Sequence, residues 1–190
     1  MVRLFVVRHG NTFGPGDVLR RIGGRTDLPL VPSGREQARA LGRHFKDGGI
    51  VFDTCLSGPL LRTRETAGLI FDTAGHTCPI IIAEALREID HGPDEGRTEA
   101  EVIARIGQPA LDAWEREAII PDGWLVDADA RRAAWAELLA QVRGTQLIVT
   151  SNGAARFAMP DAGKLRTGAY GEIVVTADRA ARVVAWDVRP

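Results

Sequence analysis

The chain reads as an α/β protein: a three-layer sandwich in which a mainly parallel sheet lies between helices on both faces and closes with an antiparallel C-terminal element. Three observations carry this reading. Short apolar runs of strand character, at Arg3–Val7, near Asp53–Ser57, at Pro79–Ala83 and at Leu147–Val149, alternate with stretches of helical periodicity. Two further extended runs, Glu172–Thr176 and Arg182–Asp187, follow one another around Asp178-Arg179 with no helix between them, the pattern of a hairpin or edge pair. The 190 residues are 45% hydrophobic and 26% charged, enough ordinary globular chain for one domain with a sizeable core.

Each element has a local reason. Pro29 and Pro32 break the chain after the first strand, and Ser33 with Glu36 reads as a capping box for a helix whose buried stripe is Ala38, Leu41 and Phe45. Gly48-Gly49 ends that helix. The short strand near Asp53–Ser57 meets Gly58-Pro59, after which residues 60–71 read as a second helix with a proline at its start. Thr98 and Glu101 form another capping box, opening a helix through Val102, Ile103 and Ile106 that Gly107 and Pro109 stop before a stretch through Leu111 and Trp114. A loop from Pro121 to Asp129 leads to a helix with Trp135, Leu138, Leu139 and Val142 on one face. No repeat, low-complexity segment or linker interrupts the chain, so the expectation is a single domain over residues 1–190 with a helical insertion around 93–128.

Charge and cysteine content exclude several classes. Lys and Arg number 24 against 25 Asp and Glu, a net charge of −1, so nothing argues for nucleic acid or an anionic membrane as partner. Cys55 and Cys78 make no disulfide framework and lack metal-ligand spacing. No apolar run is long enough to span a bilayer, and the chain enters its first strand without a charged leader and apolar segment. The expectation is a cytoplasmic protein with no metal and no organic cofactor.

Arg8-His9-Gly10 follows directly on the apolar run Leu4-Phe5-Val6-Val7. In open α/β sheets ligands bind at the carboxyl ends of strands. An arginine there offers a planar fork matched to phosphate or carboxylate, and a neighbouring histidine serves as nucleophile or proton carrier. Ser57-Gly58-Pro59 and Ser151-Asn152-Gly153 also follow strands, so the three loops should converge. The second runs into Arg62 at a helix start, where backbone N–H groups and the helix dipole favour an anion. Taken alone, Arg62 also fits a solvated helix position, as does Arg64.

Four ordered motifs resemble the histidine phosphatase superfamily, also called phosphoglycerate mutase-like, over nearly the whole chain. They are Val7-Arg8-His9-Gly10-Asn11-Thr12; Gly24-Arg25-Thr26-Asp27-Leu28-Pro29-Leu30 running to Ser33-Gly34; Ser57-Gly58-Pro59-Leu60-Leu61-Arg62-Thr63-Arg64-Glu65-Thr66-Ala67; and Leu86-Arg87-Glu88-Ile89-Asp90-His91-Gly92, closing with Glu95-Gly96. The resemblance implies that His9 is the nucleophile, attacking phosphorus to give a phosphohistidine that water hydrolyses. It implies that Arg8 and Arg62 clamp the nonbridging oxygens, and that Glu88 is the general acid, a role that needs a carboxyl whose pKa is raised by partial burial. On residue type alone, Glu88 also reads as a loop carboxylate paired with Arg87 or a nearby arginine.

The departures narrow the reading. Where the family has Ser-His-Gly, this chain has Ser151-Asn152-Gly153. Asn152 can donate a hydrogen bond but cannot be charged, a loss of about 1.5 to 3 kcal/mol, or roughly one to two decades in rate if it falls on the transition state. The asparagine that many members carry six residues after the nucleophile falls at Pro15, which makes Asn11 and Arg25 candidate substrate contacts beside Asn152. His91 stands where relatives often have an aromatic residue; it either packs or reaches the pocket. His44, on a solvent-facing helix position, and His76 read as structural or solvated. The segment from Gly153 to Thr167 is short for the family, and Gly14-Pro15-Gly16 with Arg20 and Arg21 extends the first loop as a possible cover; with Arg25, these arginines either read a second anionic group or are simply solvated.

The function expected is therefore metal-independent hydrolysis of a small phosphorylated molecule through a phosphohistidine at His9. The alternative is an impaired or inactive relative that binds phosphorylated ligands; retention of His9, Arg8, Arg62 and Glu88 favours turnover. A mutase is disfavoured by Pro15 and Asn152, and a nucleotide-binding module by the lack of a Gly-rich phosphate loop with lysine or a dinucleotide fingerprint.

Overall fold

The computed structural model describes residues 2–178 and 180–190. The β-branched and aromatic run after Val2 forms β1 (Val2–Arg8), followed by α1 (Pro32–Asp47), β2 (Thr54–Ser57), α2 (Leu61–Ala74) and β3 (Ile80–Ile82). α3 (Glu99–Ile106) and α4 (Gln108–Glu117) come next, and α5 (Ala128–Gln141) leads into β4 (Thr145–Thr150). The one-turn α6 (Asn152–Ala155), β5 (Tyr170–Val175) and β6 (Ala181–Val188) complete the chain. The expected turn at Asp178-Arg179 includes Arg179, which lies outside the described residues.

The six strands form one sheet in the order β3-β2-β4-β1-β5-β6. β1, β2, β3 and β4 pair in parallel, while β5 runs antiparallel to β1 and β6 antiparallel to β5. The period of two along β1 sends Phe5 and Val7 to one face and Leu4 and Val6 to the other. The first pair packs with Ala38, Leu41 and Phe45 of α1 and Ala67, Ile70 and Phe71 of α2. The second pair packs with Val102 of α3, Leu111 and Trp114 of α4 and Trp135 of α5. Trp135 is the largest fully buried side chain, and its indole N–H donates to the Ala154 carbonyl at 2.8 Å, tying α5 to α6. The expected three-layer sandwich is the one observed. Among the described residues no helix is long and apolar enough to cross a membrane.

Local signals divide into those that hold and those that yield. The Thr98–Glu101 capping box forms, with Thr98 N–H donating to Glu101 Oε2 at 2.8 Å and Glu101 N–H to Thr98 Oγ1 at 3.4 Å. The Ser33–Glu36 box does not. α1 starts two residues earlier than that box implies, at Pro32, with Val31 as an N-cap that makes no side-chain bond. Proline's fixed φ is already helical and it has no N–H to satisfy, so Ser33 falls inside the first turn and Glu36 pairs with Arg43 at 2.5 Å instead. His44 is not solvated: it is half-buried, with Nε2 2.9 Å from the Tyr170 hydroxyl. His76 packs edge-on against Phe52 and Phe71.

Two glycines bring the first loop down onto α1. A Cβ at Gly10 would stand 2.2 Å from the Gly34 carbonyl oxygen, and one at Gly34 2.1 Å from that of Asn11. Backbone meets backbone here, and this fixes the height of the loop that carries His9.

Candidate active site

Of the three strand-end loops, those after β1 and β4 meet at one cavity, while Ser57-Gly58-Pro59 and Arg62 are not on its wall and Arg62 reaches the site through its bond to His9. Arg8, His9, Glu88, His91 and Asn152 all line one cavity of about 580 Å³, whose outer wall is built from the loop after β1 and from α3 and α4.

His9 leaves β1 with its backbone N–H donating to Thr150 O at 3.0 Å, and its ring is buried. Nδ1 lies 2.8 Å from the Gly10 carbonyl oxygen, which only accepts, so the proton belongs on Nδ1 and the Nε2 lone pair is left for chemistry. Arg62 Nε donates to that Nε2 at 3.2 Å. Burial, reinforced by the positive charges of Arg62 and Arg8, holds the His9 pKa well below the ordinary value of about 6.5. The ring is neutral in ordinary buffers.

Arg62 is not a solvated helix arginine. It is fully buried, and besides His9 it donates through Nη1 to Thr26 O at 2.6 Å and through Nη2 to Gly23 O at 3.1 Å. One guanidinium thus fixes the His9 ring and the loop over it. Arg64, by contrast, is exposed. The N-terminus of α2 is not open to an anion as expected: Leu61 N–H donates to Asp27 Oδ1 at 2.6 Å, the loop supplying an acidic group to the positive end of the helix.

Arg8 donates through Nη1 to Leu165 O at 2.7 Å, while its Nε is buried with no partner among the described residues. Burial lowers its pKa, and Glu88 opposes that shift. Glu88 makes no ion pair with Arg87, which bonds Glu84 at 2.9 Å. Its carboxylate instead accepts backbone N–H groups from Ile89 at 2.9 Å, Ala154 at 3.1 Å and Gly153 at 3.3 Å. A Cβ at Gly153 would stand 2.4 Å from Glu88 Oε1, so this glycine is what lets the carboxylate seat against the turn carrying Asn152.

Asn152 Oδ1 accepts from Leu165 N–H at 2.9 Å. That bond fixes which end of the amide is oxygen, and the amide nitrogen, with no acceptor among the described residues, is left as a free donor. Asn11 lies on the cavity wall with its amide engaged, Oδ1 to Thr167 at 2.5 Å and Nδ2 to Ser33 at 3.4 Å. Arg25 is not on the wall; its side chain is 60% exposed and bonds Asp90 and the Gly92 carbonyl. Arg20 and Arg21 do line the cavity, Arg20 held to Gly96 O at 2.9 Å and Arg21 to Glu99 at 2.7 Å. Trp114 and the Lys164–Glu115 pair, 3.0 Å apart, also form the wall and had no signature in the sequence. Among the described residues no cluster of three or more His, Cys, Asp or Glu is placed to hold a metal ion.

A buried neutral histidine among arginines at the carboxyl end of a mainly parallel sheet defines a phosphoryl-handling class of site, and comparison with known proteins names the family. The chain belongs to the histidine phosphatase superfamily (branch 1), whose family model matches residues 4–186. It is 34% identical over 161 residues to a 2,3-bisphosphoglycerate-dependent phosphoglycerate mutase of Methylobacterium sp. (strain 4-46), covering 80% of this chain and 76% of that one. It is 36% identical over 107 residues to a broad-specificity phosphatase of Saccharomyces cerevisiae, covering 55% of this chain and 46% of that one. Its fold is shared with the mycobacterial glucosyl-3-phosphoglycerate phosphatase, with a TM-score of 0.80, 22% identity and full coverage of both chains. A phosphoserine phosphatase from Entamoeba histolytica, solved in complex with 3-phosphoglyceric acid, matches with a TM-score of 0.74 and 22% identity over 99% of this chain and 98% of that one.

Proposed function

We propose that this protein is a metal-independent phosphomonoester hydrolase acting through a phosphohistidine at His9. The observation that carries the proposal is the Nδ1 contact to the Gly10 carbonyl, which puts the ring proton on Nδ1 and leaves the Nε2 lone pair, held at rest by Arg62 Nε, as the nucleophile. In the first step Nε2 attacks phosphorus as the bond to the leaving oxygen breaks, and Glu88 in its protonated form gives that oxygen its proton. In the second step water attacks the phosphohistidine, Glu88 takes a proton from it, and His9 leaves as neutral imidazole. Arg8 and Arg62 neutralise the charge on the nonbridging oxygens, Arg62 exchanging its bond to Nε2 for one to phosphate, and the free amide of Asn152 supplies a neutral donor. Asn11 and Arg25 are at most indirect contacts, since their side chains are engaged elsewhere.

Hydrolysis is favoured over mutase action because Pro15 and Asn152 replace the two residues that would hold the transferred group away from water. The second reading, a phosphate binder without turnover, rests on Asn152 alone. We read the chain as one domain over residues 1–190 with the insertion around 93–128, and its two free thiols, Cys55 and Cys78, support a reducing, cytoplasmic setting. A panel of phosphomonoesters assayed with chelator present tests the function: wild type releases phosphate and His9→Ala does not. Turnover surviving in His9→Ala, or lost to the chelator, overturns it.

A further inference from the structure

Glu88 reaches the cavity from a stretch of chain with no regular structure of its own. Residues 87–89 belong to no strand or helix, so no ladder of backbone bonds fixes their height. Four successive carbonyls, from Ala85 to Glu88, are instead received by two side chains. Thr150 Oγ1 donates to Leu86 O at 2.7 Å. Arg131, near the start of α5, takes the other three: Nη1 donates to Ala85 O at 3.1 Å and to Arg87 O at 2.5 Å, and Nη2 to Glu88 O at 3.4 Å. The Arg131 side chain is half-buried; burial lowers its pKa, and the nearby Glu88 charge opposes that shift.

The same helix holds the other side of Glu88. Trp135 stands four residues beyond Arg131, on the same face of α5, and its indole N–H donates to Ala154 O at 2.8 Å. Ala154 is the residue whose own N–H meets Glu88 Oε1 at 3.1 Å. Arg131 thus fixes the main chain of Glu88, and Trp135 fixes one of the peptides that seats its carboxylate, one turn apart on a single element. A guanidinium suits the first task because its fork presents several N–H groups in fixed directions, whereas an ammonium is a point donor. All three acceptors are neutral carbonyls, so the contact serves geometry rather than charge pairing.

We propose that Arg131 is a positioning residue for the acid step: from α5 it holds the Glu88 backbone where the carboxyl can pass its proton to the leaving oxygen as the bond from that oxygen to phosphorus breaks. This rests on the phosphatase reading, with Glu88 as the proton donor. Arg131 is not on the cavity wall, so it acts through Glu88 and not on the substrate. A displaced acid slows the departures that need a proton and spares those that do not.

The test compares kcat/KM, which reports the transfer to His9, for two esters: n-propyl phosphate, whose alkoxide must be protonated as it leaves, and p-nitrophenyl phosphate, whose phenolate leaves without a proton. Arg131→Met keeps an unbranched stem and removes the donors, and it lowers kcat/KM for the propyl ester about tenfold more than for the nitrophenyl ester. Arg131→Lys, which keeps one donor group, recovers part of that ratio. Glu88→Gln shows the same selectivity, and adding Arg131→Met to it changes the ratio no further, as it must when two residues act through one step. Thermal melts establish that each variant is folded, and if Arg131→Met is not, Arg131→Lys against wild type carries the comparison. Equal losses on the two esters in the folded variants, or a ratio that changes again in the double variant, overturn the role of Arg131 and leave the phosphatase reading intact. A Glu88→Gln variant that slows both esters alike removes Glu88 as the acid and this inference with it. A wild type that hydrolyses neither ester nor any of the panel removes the phosphatase reading as well.

Discussion

Lowering the pH from 7 to 5 will destabilise this protein more than its carboxylates account for, and His91 sets a measurable part of the loss. Folded, the ring has a pKa of about 3; unfolded, it returns to about 6.5. Between those values the unfolded chain binds a proton that the folded chain does not. Stability from this residue is therefore complete above pH 6.5 and falls as the pH drops toward 3, at about 1.4 kcal/mol per unit. At pH 5 the loss due to His91 is about 2 kcal/mol. His9, also held neutral by burial and by Arg62 and Arg8, adds a loss of the same sign. Urea unfolding at both pH values, on wild type and His91→Phe, isolates the term, because carboxylate contributions are common to the two proteins. Wild type should lose about 2 kcal/mol more than the variant on acidification. Equal losses would show that the ring is not held neutral in the fold and would refute the reasoning.

Two other perturbations have definite expectations. Asn152→Ala leaves Leu165 N–H without its acceptor and loosens the segment whose carbonyl holds Arg8; kcat should fall by about 2 to 3 kcal/mol, roughly 30- to 150-fold, with a smaller change in KM in steady-state assays. Asn152→His should not raise activity, since the pocket is built around an amide, and a silent wild type that gains hydrolysis from this change would establish the binder reading instead. Gly153→Ala drives a Cβ into Glu88 Oε1 and Ile89 Cγ1, which it would meet at 2.4 and 2.8 Å. The displaced carboxylate should lower kcat about 100-fold, and the overpacking should cost about 1 to 3 kcal/mol in a chemical melt.

What the sequence reveals here is what local physics encodes. Apolar runs such as Leu147–Val149 announce buried strands, and Thr98 with Glu101 announces a helix start, because the groups that settle each outcome lie within a few residues. Ser33 misleads because two local signals compete and Pro32 wins. Strand order is not legible, since β1 chooses its neighbours β4 and β5 from segments more than 140 residues away. The site follows the same division. His9, Arg8 and Glu88 stand out by their motifs, yet the inward turn of Arg62 onto His9, the capping of α2 by Asp27, and the seating of Glu88 on Gly153 depend on partners 53, 34 and 65 residues apart. Trp114 and Lys164 enter the wall from α4 and the segment after α6, and nothing in their immediate sequence marks them.

The central claim is that a phosphoryl group passes through His9. Rapid mixing with a hydrolysed phosphomonoester, quenched under alkaline conditions that preserve phosphohistidine and followed by mass spectrometry of the peptide containing residues 4–20, tests it directly. The account predicts one added phosphoryl group on His9, accumulating further in Glu88→Gln, where water attack is slowed, and absent in His9→Ala. Turnover with no phosphorylated His9 at any time point, in wild type or in Glu88→Gln, would contradict it.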